Sequence, residues 1–483
     1  MQGRIFSRRG YAIGSTAALS ITAYLLSDLP KKDFASMSMH EVLLTNSSEV
    51  QDVLIVGGGI IGCSLAAHLV CNPRSSSPQT PPSTLGKNKK NIKVTLLEKQ
   101  TLASESTGLS AGTIWSLGAP KWSNAPPSDP NLARIEFSHL TNQIYESLPD
   151  TGFSKCGCLK LAMSLEESAF AYDEYKELAP LIEDPSNLLF LSRKGVKEKL
   201  SEVDEREVYG GLYAKEGSQV DALRAAFALA ERAEEAGANI VENIEVKKIE
   251  RDEEKRVYKV STACGKTWLS KKVVVASGAW VNEVLDPALH LPIIPIKGQM
   301  AICNGEPTPP SLQSLPVIYF FSSYMWWSSN KTSRAAKIKI TDNENINHCY
   351  GKRGSDGRYY FGGDRLIPSH SRDYEVDEVN LRRTMNEKAF KSIPAIRDIF
   401  EGEQVGSWAG IMPFTEDGSP IMDKLDGEGL FVATGFGPEG ITIGPGAMKF
   451  FGRWVADGGD MPPILQTFGM KGRFEKKNGE NRG

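Results

Sequence analysis

The sequence is short of cysteine, of net charge and of long apolar segments, and each shortage excludes a class of protein. Seven cysteines are scattered over 483 residues, and the odd number argues against a disulfide scaffold. The one close pair, Cys156-Gly-Cys158, lacks the second pair or nearby histidine of a metal site, so no metal is predicted. The net charge of −3 gives no indication of a nucleic-acid partner. A hydrophobic content of 40% is typical of a globular chain, and the length suggests about two domains.

The N-terminal segment, residues 1–48, differs in character from the rest. Arg4, Arg8 and Arg9 precede a mildly apolar stretch, residues 10–26, that contains no acidic residue. Such a segment is typical of a cleavable targeting signal or an anchor. The arginines favour a mitochondrial presequence; a secretory signal, a twin-arginine signal and a membrane anchor are alternatives. Membrane association through this segment is therefore one expectation. No later segment is long and apolar enough to span a bilayer.

The most informative stretch is DVLIVGGGIIG (residues 52–62), in which a β-branched apolar run leads into G-x-G-x-x-G. An alanine-rich apolar segment follows, so the pattern predicts a strand, a tight turn and a helix that bind a dinucleotide. Gly57 lets the strand turn, Gly59 lets a pyrophosphate approach the backbone, and Gly62 lets the helix pack against the strand. The positive end of the helix dipole then faces the phosphates.

A second apolar strand ends at Glu98, and an acid in this position usually accepts hydrogen bonds from ribose hydroxyls. The usual spacing from the last glycine is about 20 residues. Here the spacing is longer because residues 72–91 form a Ser/Pro/Lys-rich insertion without apolar periodicity. The insertion is predicted to be a surface loop.

Segments of the nucleotide-binding type occur at the start, middle and end of the chain, with β-rich segments between them. We therefore predict an α/β fold with a Rossmann-like domain, whose central parallel sheet is flanked by helices. This domain is interleaved with an α+β substrate domain built on a large mixed or antiparallel sheet. The predicted boundaries are 50–150, 215–290 and 404–460 for the nucleotide domain, 151–214 and 291–403 for the substrate domain, and 461–483 for a loose tail.

Eight segments, in order, resemble the D-amino-acid-oxidase-like family of FAD-dependent oxidoreductases, the group of glycine oxidase and of sarcosine and dimethylglycine dehydrogenases. They are DVLIVGGGIIG, LLEK (96–99), STGLSAG (106–112), the helical pattern 217–238, VVVASGAW (273–280), PIKGQM (295–300) and the C-terminal pair 408–422 and 435–458. The resemblance implies a flavoprotein that oxidises the C–N bond of a secondary amine or amino acid by hydride transfer to FAD. The electron acceptor would be O₂ or an electron carrier.

The glycine pattern and the resemblance together give a set of expected cofactor contacts. The second glycine-rich turn, GFGPEG (435–440), precedes a helix and would offer backbone N–H groups to the polar edge of the flavin ring. The expected contacts are Gly57, Gly59, Ile61, Gly62, Glu98, Lys99, Ser106, Thr107, Ser110, Ala111, Gly112, Val246, Ser277, Gly278, Trp280, Gly410, Gly437, Gly440, Ile441 and Thr442.

The sequence departs from the family pattern at the positions of covalent flavin linkage. Members with a histidyl link carry a histidine in the loop matched by residues 106–112, which has none here. Members with a cysteinyl link carry a cysteine near residues 411–415, which also has none. We therefore expect non-covalent FAD. The absence of any histidine after His370 argues against the glucose–methanol–choline oxidoreductases, which carry a C-terminal catalytic histidine.

A further departure concerns the substrate carboxylate. Several amino-acid oxidases of the family carry an arginine where this chain has Met412. A replacement anchor is expected near a predicted hairpin turn, where Lys352, Arg353 and Arg365 are candidates. Lys352 and Arg353 are the predicted catalytic residues, and Arg353 is preferred because a planar guanidinium suits a carboxylate.

Two other functions remain open at the level of the sequence. Relatives of similar architecture oxidise 2-hydroxy acids, so the chain could be an FAD-dependent 2-hydroxy-acid dehydrogenase. The missing arginine also leaves open a non-catalytic flavoprotein that acts in assembly or trafficking.

Overall fold

The computed structural model describes residues 49–71, 92–124, 126–304, 309–321 and 348–474. The predicted targeting segment and the predicted surface loop of residues 72–91 lie outside the described residues, so mitochondrial targeting stays a prediction. None of the helices in the described ranges is long and apolar enough to cross a membrane.

Eighteen strands and nine α-helices make up the described part of the chain. The strands are β1 (Val50–Val56), β2 (Val94–Leu97), β3 (Thr113–Ile114), β4 (Cys158–Ala162), β5 (Leu188–Ser192), β6 (Gly210–Ala214), β7 (Ser218–Gln219), β8 (Asn239–Val241), β9 (Val246–Asp252), β10 (Val257–Thr262), β11 (Thr267–Val275), β12 (Ile293–Cys303), β13 (Val317–Phe320), β14 (Tyr350–Arg353), β15 (Tyr359–Gly362), β16 (Gln404–Thr415), β17 (Ile421–Lys424) and β18 (Leu430–Thr434). The helices are α1 (Ile60–Cys71), α2 (Pro130–Glu146), α3 (Leu165–Leu178), α4 (Arg193–Lys199), α5 (Ala222–Glu235), α6 (Pro310–Gln313), α7 (Glu378–Met385), α8 (Pro394–Glu403) and α9 (Gly440–Asp457).

The first sheet is the predicted Rossmann-like sheet, with the strand order β17-β18-β11-β1-β2-β8 and with β10 and β9 continuing from β11. Strand β1 lies at its centre and pairs in parallel with both β2 and β11. Successive side chains of β1 alternate between two cores, because Val53 and Ile55 pack on one face and Leu54 and Val56 on the other. Helix α1 covers the first face together with α5 and α9. The predicted α/β class is therefore confirmed.

The second sheet has eight strands in the order β16-β12-β15-β14-β13-β4-β6-β5. Its neighbouring strands are antiparallel except for β13 and β4, which are parallel. Helices α7 and α8 pack against it through an apolar core that includes Phe361, Phe390 and Phe400. This is the mixed, mostly antiparallel substrate sheet that the sequence predicts.

One predicted boundary is wrong. Residues 404–460 are predicted to belong to the nucleotide domain, but they begin with strand β16, which belongs to the other sheet. In the structure β16 is antiparallel to β12, with a register that runs from Ile293 opposite Thr415 to Ile302 opposite Gly406. This long continuous pairing assigns β16 to the substrate sheet. The chain returns to the nucleotide sheet only at β17.

The predicted loose tail is also wrong for the part that the structure describes, residues 461–474. A 3₁₀-helix spans Pro463–Phe468, and the side chains of Leu465 and Phe468 are fully buried in the core beneath α9. The guanidinium of Arg473 pairs with the carboxylate of Asp417 at 2.8 Å. The segment contains only a few apolar residues, which is too few for a periodic pattern that would predict its packing.

Substitution of Phe468 by alanine tests this packing. We expect the free energy of unfolding to fall by about 3–5 kcal/mol, since a fully buried ring is removed and a cavity is left. Urea unfolding measures the loss. The matched control is Gln466→Ala in the same 3₁₀-helix, whose side chain is exposed and whose loss should cost less than about 0.5 kcal/mol. Equal stability of the two variants would contradict a packed tail.

Candidate active site

A cavity of about 450 Å³ lies where the two sheets meet. The nucleotide sheet contributes the carboxyl ends of its parallel strands, including Val56 of β1 and Leu97 of β2. The substrate sheet contributes Met300, Tyr319 and Tyr350. Ligands of open α/β sheets bind at the carboxyl ends of the strands, so this is the expected position of a cofactor.

The glycines of the first turn are required by close backbone contacts. Gly57 has φ of +113°, and a Cβ at this position would lie 2.6 Å from the carbonyl oxygen of Ala276. A Cβ on Gly62 would overlap the carbonyl oxygen of Gly57, so this glycine lets α1 approach the turn. The structure therefore builds the tight strand–turn–helix unit that holds a dinucleotide phosphate.

Glu98, at the end of β2, lines the cavity beside this turn. Its carboxylate accepts hydrogen bonds from the backbone N–H of Gly58 at 2.6 Å and of Gln100 at 2.8 Å. Burial raises the pKa of Glu98, while these N–H groups oppose that shift. The carboxylate is thus fixed at the mouth of the turn, in the position predicted for a ribose contact.

Most of the predicted cofactor residues line the same cavity. Those on its lining are Gly57, Gly59, Ile61, Glu98, Lys99, Ser106, Thr107, Ser110, Val246, Ser277, Gly278, Trp280, Gly410, Gly437, Gly440, Ile441 and Thr442. The other three predicted residues, Gly62, Ala111 and Gly112, are not part of the cavity lining. Gly112 has φ of +69° and packs tightly on the carbonyl of Val220, so it shapes the loop backbone without facing the cavity.

The N-terminus of α9 forms the opposite wall of the cavity. This helix has 18 residues, and no side chain caps its first turn. Gly440, Ile441 and Thr442 therefore present backbone N–H groups and the positive end of the helix dipole to the cavity. The buried hydroxyl of Ser277, also on the lining, has no hydrogen-bond partner among the described residues. These open donors fit a polar, electron-rich ligand such as the flavin end of FAD.

A segment that the sequence analysis missed lies beside the cavity; we call residues 366–375 the strap, and its Arg372 is on the cavity lining. The indole N–H of Trp280 donates to the carbonyl of Ser371 at 3.1 Å. Arg372 pairs with both carboxylate oxygens of Glu283, at 3.0 and 2.7 Å. These contacts join segments about 90 residues apart, so no local pattern could reveal them.

The substrate end of the cavity has an aromatic wall. The rings of His348, Tyr350, Tyr319 and Trp115 follow one another with centroid separations of 5.3, 6.0 and 5.8 Å. Burial lowers the pKa of His348 well below its usual value and raises the pKa values of Tyr319 and Tyr350. Burial thus favours the neutral forms of these three rings, while the ammonium of Lys160 lies 4.3 Å from the centre of the Trp115 ring and pairs with the carboxylate of Glu174. Sequence reasoning did not identify His348 as a residue of the cavity.

Arg365 brings a buried positive charge to this end. Its Nη1 donates to the carbonyl oxygens of Gly363 at 2.5 Å and Asp364 at 3.3 Å. The carboxylate of Asp364 accepts instead from the side chains of Gln299 and Asn380. Within the described residues, the hydrogen bonds of Arg365 thus go to carbonyls rather than to a carboxylate, which leaves its charge available to an anionic ligand.

The two predicted catalytic residues do not reach the cavity. The ammonium of Lys352 is buried and donates to the carbonyl of Val220 at 3.0 Å, and burial lowers its pKa to about 8. The guanidinium of Arg353 lies over the ring of Tyr359 at 6.0 Å, away from the lining. Of the three candidates from the sequence, only Arg365 lies on the cavity lining.

Arg365 and Met412 approach the same point of the substrate sheet. A Cβ built on Gly298 would lie 2.8 Å from the Met412 methyl carbon and 3.1 Å from Nη1 of Arg365. Met412 is the position at which several amino-acid oxidases of the family carry an arginine. The cation reaches this region from the strand end after β15 instead of from β16.

A dinucleotide-type turn lies at one end of the cavity and a buried arginine at the other, an arrangement that fits a redox enzyme with an extended cofactor and a small substrate. The model of the family described as FAD dependent oxidoreductase matches residues 52–457, and the chain belongs to this family. The resemblance in the sequence is thus confirmed, and FAD is the cofactor.

Named relatives cover most of the chain. Glycine oxidase of Geobacillus kaustophilus is 28% identical over 400 residues, which are 82% of this chain and 90% of the relative. D-amino acid dehydrogenase of Vibrio atlanticus is 23% identical over 84% of this chain and 96% of the relative. The crystal structure of the Geobacillus glycine oxidase superposes with a TM-score of 0.67 and 26% identity, covering 89% of this chain and all of that one.

Substitution of Glu98 by alanine tests the dinucleotide end. We expect FAD affinity to fall roughly ten- to hundredfold, because a charge-assisted hydrogen bond contributes about 1.5–3 kcal/mol. Equilibrium titration of the apoprotein with FAD measures the change. The control is Glu49→Ala, an exposed acid at the amino end of the same sheet that lies outside the cavity. Equal FAD affinities in the two variants would place the ribose elsewhere.

Proposed function

We propose that this FAD-dependent oxidoreductase oxidises the C–N bond of a small amine that carries a carboxylate, either an amino acid or a secondary amine such as an N-substituted amino acid. The observation that carries the proposal is Arg365, a buried guanidinium that faces the substrate end without a described carboxylate partner. The names of the relatives, glycine oxidase and D-amino acid dehydrogenase, support the same substrate class.

The roles of the chain's own residues follow from this geometry. Arg365 binds the substrate carboxylate with a planar pair of N–H groups, which fixes the carbon that reacts. The aromatic side chains of Tyr319, Tyr350 and His348 line this end of the cavity with Arg365 and would pack against the substrate. When bound, FAD accepts the hydride that leaves the substrate carbon. The substrate nitrogen gives up a proton, water hydrolyses the imine product, and O₂ or an electron carrier takes the two electrons.

We also propose that FAD is held without a covalent bond. Support comes from the loop of residues 106–112, which has no histidine, and from the described cavity lining, which includes no cysteine. Acid precipitation of the purified yellow protein should release all of the flavin into the supernatant. Flavin that stays in the pellet would contradict this proposal.

An anaerobic titration of the holoenzyme tests the substrate class. Bleaching of the flavin absorbance is followed with D-amino acids, N-methyl amino acids and 2-hydroxy acids. Each amino acid is matched with the amine that lacks its carboxylate. We expect bleaching by one or more of the amino acids and none by the matched amines, because Arg365 binds the carboxylate. Reduction by 2-hydroxy acids alone would make the protein a hydroxy-acid dehydrogenase. Reduction by none of them would favour a non-catalytic flavoprotein.

A further inference from the structure

An ion pair between Arg134 and Glu439 lies on the cofactor cavity and has no part in the site described so far. Arg134 projects from α2, and its Nε lies 3.2 Å from a carboxylate oxygen of Glu439. The two side chains are 12% and 26% exposed, and both line the cavity. Nη2 of Arg134 donates to the hydroxyl of Ser419 at 3.0 Å.

The third nitrogen of the Arg134 guanidinium is unsatisfied. Nη1 is buried and has no hydrogen-bond partner among the described residues. A buried donor without an acceptor lowers the stability of the fold, and the loss is larger for a charged group. A ligand in the cavity that accepts a hydrogen bond would remove this cost. The pair is thus arranged for a bound cofactor and not for the fold alone.

The position of Glu439 identifies which part of the cofactor the pair faces. Glu439 directly precedes Gly440, the first residue of α9, whose uncapped N–H groups would face the polar edge of the flavin. One negative and one positive side chain would therefore lie beside the part of the ring where electron density rises on reduction.

We propose that the Arg134–Glu439 pair sets the reduction potential of the bound flavin. A positive charge near the ring favours the electron-rich reduced form, and a negative charge disfavours it. In the wild-type protein the charge of Arg134 compensates that of Glu439, so the carboxylate does not lower the reduction potential of the flavin. This inference rests on FAD binding and is independent of the substrate.

Two single substitutions should shift the reduction equilibrium in opposite directions. Arg134→Met leaves the carboxylate of Glu439 unpaired, so the equilibrium constant for flavin reduction should fall at least tenfold. Glu439→Gln leaves the guanidinium unopposed, so the constant should rise at least tenfold. For a two-electron couple a tenfold change corresponds to about 30 mV. The measurement is anaerobic equilibration of the holoenzyme with a reference dye of known potential. Arg134→Lys keeps the charge and should stay within threefold of wild type.

Two controls separate the charge from the packing. Ser419→Ala removes the hydrogen bond to Nη2 without changing a charge, and Arg382→Met breaks an exposed pair with Glu401 on the substrate sheet's helices. Both should keep the wild-type potential. Shifts of the same sign in Arg134→Met and Glu439→Gln, or shifts below threefold in both, overturn the proposal. If the Arg134→Met variant binds no FAD, the Glu439→Gln variant alone tests the proposal. An unchanged reduction potential in Glu439→Gln then overturns the proposal.

Discussion

Replacement of Arg365 by methionine should lower kcat/KM for the carboxylate substrate at least a hundredfold, with FAD content unchanged. Loss of one partner from a buried charge pair costs about 3–5 kcal/mol, and each 1.4 kcal/mol is a factor of ten. The loss should fall mainly on KM, because Arg365 binds the carboxylate before and during the hydride transfer. Steady-state kinetics on the substrate that bleaches the flavin most strongly measures the effect.

Arg353→Met is the matched control, since it removes an arginine of β14 that lies outside the cavity. Its kinetics should stay within about twofold of wild type, as for a residue without substrate contact. Arg365→Lys should recover part of the loss, because an ammonium keeps the charge but not the planar fork. Addition of Met412→Arg to Arg365→Met should also restore binding, since both side chains reach the same point beside Gly298. A loss in Arg353→Met as large as that in Arg365→Met would refute the assignment.

Substitution of Gly62 by valine should abolish FAD binding and lower the melting temperature. A side chain here would overlap the carbonyl of Gly57, so the helix would have to move away from the turn that carries its N–H groups. The ratio of flavin to protein absorbance and a thermal unfolding curve report the two effects.

The control for this glycine is Gly402→Ala, near the end of α8. A Cβ there would have no neighbour within 4 Å, and the backbone does not have a positive φ. Alanine should therefore be neutral or should stabilise the helix by about 0.5–1 kcal/mol. Normal FAD content in Gly62→Val would mean that the turn can relax, and that its tight packing does not decide cofactor binding.

The sequence predicts those parts of the molecule whose signals lie within a short stretch of the chain. The strand before Gly57, the helix after it and the acid at Glu98 follow from periodicity and spacing within a single β–α–β unit. The hairpin of β14 and β15 likewise follows from its turn residues.

The substrate end depends on contacts between distant segments, and there the sequence is a poor guide. Arg353 is close to the turn in sequence, yet its guanidinium lies over Tyr359. Arg365 reaches the cavity because the next residue, Leu366, exchanges backbone hydrogen bonds with Lys297 on β12. The misplaced strand β16 has the same explanation, since its partner β12 lies about 110 residues earlier.

The strap also links the two ends of the site, since it begins one residue after Arg365. Its Asp373 pairs with Lys297 of the substrate sheet at 2.9 Å, while its Arg372 pairs with Glu283 of the nucleotide part. A ligand that stabilises the contacts of the strap at one end would therefore stabilise those at the other end. By thermodynamic reciprocity, the cofactor then strengthens substrate binding by the same factor as the substrate strengthens cofactor binding. Amide hydrogen exchange at residues 366–375 should consequently be faster in the apoprotein than in the holoprotein. The substrate affinity measured on a preparation with incomplete FAD occupancy should be lower than that of the fully occupied protein.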